Sequence, residues 1–144
     1  MVGDIDELVD ACKYFVPVHL KEAVGIAAHF LLWAQYIQIP GDGRMFKVKF
    51  GSGMGLPHSG EVSDAMLLMR ELSIPSYGFK NGMVGYVRFK DDALIVINPI
   101  APGSVALFWR HYIINVRPYR VVADSVSNKE FIMLDMHFFK GVRW

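Results

Sequence analysis

The pattern of apolar positions first becomes regular at residues 4–15, where Ile5, Leu8, Val9, Cys12 and Phe15 fall at helical spacing. This predicts a short amphipathic helix opened by Gly3 and Asp4, with acidic residues in the first turn that suit the positive end of the helix dipole. Pro17 breaks that helix and can sit in the first turn of the next. There Leu20, Val24, Ala27, Ala28, Leu31 and Ala34 make one apolar stripe, with Lys21, Glu22 and Gln35 away from its centre. His29 and Trp33 read as packing residues. From Tyr36 the period changes from helical to alternating. The run YIQIPGDGRMFKVKF gives two strand-like arms around Gly41, Asp42 and Gly43, a hairpin signal with glycines available for positive φ. Alternation puts Phe46, Val48 and Phe50 on one face and Lys47 and Lys49 on the other, where the lysines either contact phosphates or form a solvated strand face.

The glycine-rich text GSGMGLPHSG follows, and a helix is expected from His58 or Ser59, carried by Val62, Ala65, Met66, Met69 and Leu72. Gly51, Gly53 and Gly55 let the backbone approach another surface closely. The lysine and hydroxyl of a P-loop are missing, and so is the full glycine spacing of a dinucleotide fingerprint. Residues 73–83, SIPSYGFKNGM, read as turn-rich. Next comes VGYVRFKDDALIVI, residues 84–97, in which two apolar runs flank Asp91 and Asp92. Pro99, Pro102 and Gly103 mark a loop, after which Ser104 is expected to cap a helix running to Asn115 with Val105, Phe108, Trp109, Tyr112 and Ile113 as its stripe. Two last strands are expected at Tyr119–Asp124 and Phe131–Phe139.

These elements fit one α+β domain over residues 1–144, since no repeat, linker or low-complexity tract interrupts them. An apolar share of 53% with 20% charged residues argues against disorder. A formal charge of +1 gives no global field for nucleic acid. Cys12, the single cysteine, excludes an internal disulfide and suits a reducing interior, cytoplasmic or nuclear. The longest helix-like apolar run, Val24 to Ala34, falls short of the roughly 20 residues that cross a bilayer. The acidic start lacks the basic flank and apolar core of a secretory signal.

Asp91 and Asp92 carry the chemistry. Two adjacent carboxylates at a turn raise each other's cost of ionisation unless a cation is near. A hard divalent ion such as Mg²⁺, or Mn²⁺, relieves that cost. The plainer reading is a polar hairpin turn, where Asp is common.

In this order of elements the chain resembles the palm of a reverse transcriptase of the Penelope-like or non-LTR retroelement kind. The segment leading through GSGMGLPHSG resembles that family's motif B, with Gly51, Met54 and Gly55 at its core and Ser59 as its small residue. Gly60 stands where the family has proline, and no glutamine precedes Gly51. YVRFKDDALIV resembles motif C, with Phe89 in place of the usual tyrosine, Lys90 as the variable residue, Asp91 and Asp92 as the acidic pair, and Arg88 preceding the aromatic. EFIMLDMHFFKG resembles a downstream strand holding Leu134 and Asp135.

The resemblance implies a partial palm, spanning motif B to the strand after motif D, with an antiparallel sheet whose Asp-Asp hairpin is packed on helices. It implies RNA-directed DNA polymerase chemistry by two-metal nucleotidyl transfer. Asp91 and Asp92 would be catalytic metal ligands, and Gly51, Met54, Gly55, Ser59 and Phe89 would face nucleotide and template. The partners implied are an RNA or DNA template-primer and a dNTP, with Mg²⁺ or Mn²⁺ as cofactor. The family's motif A aspartate is expected upstream of Met1, with Asp4 and Asp6 the only candidates within the chain, so a fragment without fingers and thumb, inactive alone, is expected. Two other classes stay open: a non-catalytic nucleic-acid-binding remnant using Lys47, Lys49, Arg88, Lys90 and Arg110, and a small structural α+β domain.

Overall fold

The computed structural model describes residues 4–53 and 56–141. Asp4 caps the first helix, α1 (Ile5–Tyr14), its carboxylate accepting the Glu7 amide at 2.8 Å. A side-chain acceptor at this position satisfies one of the otherwise orphaned first-turn amides. Leu8 and Ala11 are fully buried beneath it. A single 3₁₀ turn, Val18–Leu20, begins directly after Pro17 and feeds α2 (Lys21–Trp33). Of α2, only Ala28 and Leu32 are buried, whereas Leu20 and Leu31 of the expected stripe are exposed. The helix is apolar almost all round, so no polar face fixes its rotation in the sequence.

β1 (Tyr36–Gln38) and β2 (Met45–Lys47) form the expected hairpin, pairing Tyr36 with Lys47 and Ile37 with Phe46. Gly41 and Gly43 take positive φ in its turn. α3 (Ser59–Glu71) follows the glycine-rich loop. The segment 73–83 departs from expectation: Ile74–Lys80 is a helix, α4, with Pro75 in its first turn. Proline is tolerated there because the amide it lacks would have no helical partner.

β3 (Met83–Phe89) and β4 (Asp92–Ile97) pair antiparallel, Phe89 opposite Asp92. α5 (Ser104–Asn115) matches its expected bounds, but Ser104 does not cap it. Gly103, at φ 84°, holds the cap position, and Ser104 is buried as the first helical residue. Tyr119–Asp124 forms no strand. The long last strand is a hairpin, β5 (Glu130–Met133) and β6 (Met136–Phe139), with Leu134 and Asp135 in its turn at φ 49° and 60°. Their expected place inside a strand is therefore corrected.

The result is α+β, with three separate two-stranded antiparallel sheets among the described residues. Two cores hold the helices together. Leu8, Ala11, Leu32, Val62 and Met66 make the first, and Ile74, Met83, Phe108, Tyr112 and Val116 the second. α3 serves both, through Val62 and Met66 on one side and Leu67 on the other. An ion pair between Arg70 and Glu7 fastens it to α1. The β3–β4 hairpin lies on the second core through Tyr86, Ile95 and Ile97. Among the described residues no helix is long and apolar enough to cross a membrane.

Candidate functional site

The sequence-predicted site residues fall at two places, the tip of the β3–β4 hairpin and the loop that enters α3. At the tip, Lys90 and Asp91 bridge the pair Phe89–Asp92, and Lys90 takes a positive φ of 53°. Asp91 occupies the second turn position and Asp92 begins β4; both are exposed, as is Phe89. Directly opposed residues share a face of the sheet, so Phe89 and Asp92 lie on the outer face, away from the Tyr86–Ile95 pair that meets the core.

Arg88 holds this tip against α3. Its guanidinium donates to the Lys90 carbonyl at 2.7 Å, lies 3.4 Å from Asp64 Oδ1, and places Nε 2.8 Å from Glu71 Oε2. The last contact is an ion pair without the alignment of a hydrogen bond, since Glu71 Oε2 has no hydrogen-bond partner. Glu71 is buried, and its Oε1 accepts from the Tyr86 hydroxyl at 2.5 Å and from the Tyr112 hydroxyl at 3.3 Å. A buried carboxylate needs such partners, because losing water without compensation costs several kcal/mol. Burial, then the hydrogen bond to Glu71, pushes the Tyr86 phenol well above its ordinary value. Tyr112 is raised chiefly by burial.

Tyr86 meets Glu71, and Arg88, further along β3, reaches back to Asp64, about two helical turns earlier in α3. Strand and helix therefore run in opposite directions. The aspartate turn is carried toward the end of α3 that begins at Ser59.

At that end the loop is tied down by hydroxyls and one amide. Gly51 and Ser52 are buried, and Gly51 takes φ 75°, a conformation that favours glycine. The Ser52 and Ser59 hydroxyls are 2.7 Å apart, and Ser59 Oγ donates to the Gly53 carbonyl at 2.5 Å. Gln35 Oε1 accepts the Gly53 amide at 3.0 Å from the end of α2. Ser59 is thus a closing residue for the loop. Met54 and Gly55 lie outside the described residues.

Three groups were missed from sequence: Glu71, Tyr86 and Gln35. Glu71 reads as a solvated helix end and Gln35 as an off-centre polar residue. Alternation in GYVRF puts Tyr86 and Arg88 on one face and the apolar Val87 and Phe89 on the other, so the pattern turns the wrong face to the core: Val87 and Phe89 are exposed, and Arg88 is half-buried beside Glu71. Arg88, offered as a phosphate contact, is instead committed to Glu71 and Asp64.

Asp91 and Asp92 suit a hard divalent cation by charge and donor type. Asp4 is engaged as the α1 cap and Asp6 lies in the same first turn. Neither joins Asp91 and Asp92, since no group of three or more His, Cys, Asp or Glu suited to a metal occurs among the described residues. No family model, no curated protein and no solved structure matches the chain.

Proposed function

We propose that this chain is palm-type sequence of an RNA-directed DNA polymerase, in which Asp91 and Asp92 hold Mg²⁺ or Mn²⁺ beside a glycine-rich loop that faces template and nucleotide. One observation carries the reading: Arg88 ties the aspartate turn to α3, the helix that begins at that loop. A loose polar turn would need no such brace. The pairing of Phe89 with Asp92 further fixes how the two carboxylates leave the hairpin.

Bound metal would supply charge stabilisation for phosphoryl oxygens during transfer of a nucleotide to a primer. The chain's own part is to hold two carboxylates at a braced turn and to keep the loop closed through Ser59, Ser52 and Gln35. The reading assigns metal and nucleotide binding to this chain before it assigns turnover.

Mn²⁺ titration of the full chain, followed by electron paramagnetic resonance, tests this. Binding to the wild type should weaken at least about tenfold in Asp91→Asn, the loss of one charged ligand being worth at least about 1.4 kcal/mol. Identical weak binding in both proteins would sink the reading.

A further inference from the structure

The β1–β2 hairpin stands off the body of the molecule, with every strand residue exposed. Its exposed aromatics are not randomly placed. Tyr36 pairs directly with Lys47, so the two side chains share a face. The Lys47 ammonium lies 3.6 Å from the centre of the Trp33 ring, at the end of α2. On the opposite face, Arg44 sits 5.7 Å from the centre of the Phe46 ring. Trp33 is 49% and Tyr36 50% exposed.

Charge is concentrated here as well. Between Trp33 and Gly53 stand Arg44, Lys47 and Lys49 against Asp42 alone, in a chain whose whole formal charge is +1. Asp42 is held by Arg44 in a bidentate pair at 2.6 Å, which leaves Lys47 and Lys49 uncompensated by any acid of this segment. An exposed aromatic with an exposed cation beside it offers a flat surface for a base and a charge for the adjoining phosphate. Stacking of a base on an aromatic side chain is worth more than an exposed cation–π contact. A base can therefore displace Lys47 from the Trp33 ring, and the ammonium then meets a phosphate oxygen.

We propose that the Trp33–Tyr36–Lys47 face of this hairpin binds single-stranded nucleic acid by stacking and phosphate contact, without base specificity. The surface is built from residues apart from Asp91 and Asp92 and works without a metal ion. Flexible single strands fit it because their bases are free to stack, whereas a duplex keeps its base faces stacked on one another.

The test is fluorescence anisotropy of a labelled oligothymidylate of about 12 nucleotides with the full chain, in EDTA. Trp33→Ala and Tyr36→Ala should each weaken binding about tenfold. Lys47→Gln with Lys49→Gln should reduce the salt slope by about 1.4, two phosphate contacts at roughly 0.7 each. Lys129→Gln, in the segment before β5, should leave affinity unchanged. Oligothymidylate binding by the wild type in EDTA, whatever the Mn²⁺ titration shows, separates this surface from the metal reading.

Equal binding in wild type, Trp33→Ala and the double lysine variant would overturn the proposal. So would sedimentation showing that the hairpin is buried against a second copy of the chain which oligothymidylate does not displace. The lysine variant keeps the test valid if Trp33→Ala fails to fold, because both lysines are exposed.

Discussion

At the scale of single residues, the molecule places unusual chemistry at two turns and one buried acid. Leu134 and Asp135 both adopt positive φ between Met133 and Met136. Such left-handed angles cost an ordinary L-residue roughly 1–2 kcal/mol, and two-residue hairpin turns of this hand favour Asn-Gly. Asp135→Gly should therefore steady the β5–β6 hairpin by about 1 kcal/mol. Slower hydrogen exchange of the paired amides from Glu130 to Phe139 would register it; faster exchange would contradict it.

The Glu71 cluster makes a second claim at this scale. Tyr86→Phe removes a hydroxyl that donates to a buried carboxylate, and should cost about 1.5–3 kcal/mol near neutral pH. Its pH signature follows from the sign of the shift. The folded-state pKa values of Tyr86 and Tyr112 lie above the unfolded value of about 10. Their contribution is thus complete below that pH and is lost as pH rises through the folded values. Urea unfolding of the wild type should show stability falling above about pH 10, and Tyr86→Phe should flatten that fall. A variant with wild-type stability and an unchanged alkaline limb would remove Tyr86 from the network.

At the scale of elements, the junction between α4 and β3 depends on backbone geometry. Gly82 takes φ 90°, and a Cβ there would collide with the Asn98 carbonyl, while its own carbonyl accepts the Asn98 amide at 2.7 Å. Gly82→Ala should destabilise the fold by more than about 1 kcal/mol, combining left-handed strain with a backbone clash. Thermal melts unchanged from wild type would contradict this.

The elements also show what the sequence made legible. α1, α3 and α5 carried apolar residues at helical spacing with capping or loop signals, and their bounds follow from that text. The β3–β4 hairpin was legible because two apolar runs flank its two aspartates. α4 was obscured by Pro75 and Gly78, which read as turn residues although proline is tolerated in a first helical turn. The Phe131–Phe139 run hid a hairpin because Leu134 and Asp135 carry no glycine signal. Tyr119–Asp124 has strand-like residues but no partner strand, and composition cannot supply one. At the candidate site, Asp91 and Asp92 stood out as a pair, whereas Glu71, Tyr86 and Gln35 acquire their roles only through contacts distant in sequence.

For the whole molecule, the arrangement is two cores joined by α3, with three hairpins that leave much apolar surface uncovered, including Val87 and Phe89 on the outer face of β3–β4. Exposed apolar surface on this scale marks places where further protein or ligand sits. The central claim is that the aspartate turn and the loop before α3 form one site, braced by Arg88. Paramagnetic broadening by substoichiometric Mn²⁺ tests it most directly, read amide by amide in the full chain. The expected result is loss of the Lys90–Ala93 signals together with those of Ser52, Gly53 and Ser59, abolished in Asp91→Asn. Broadening confined to exposed acids of α1 such as Asp6 and Asp10, and identical in Asp91→Asn, would contradict it.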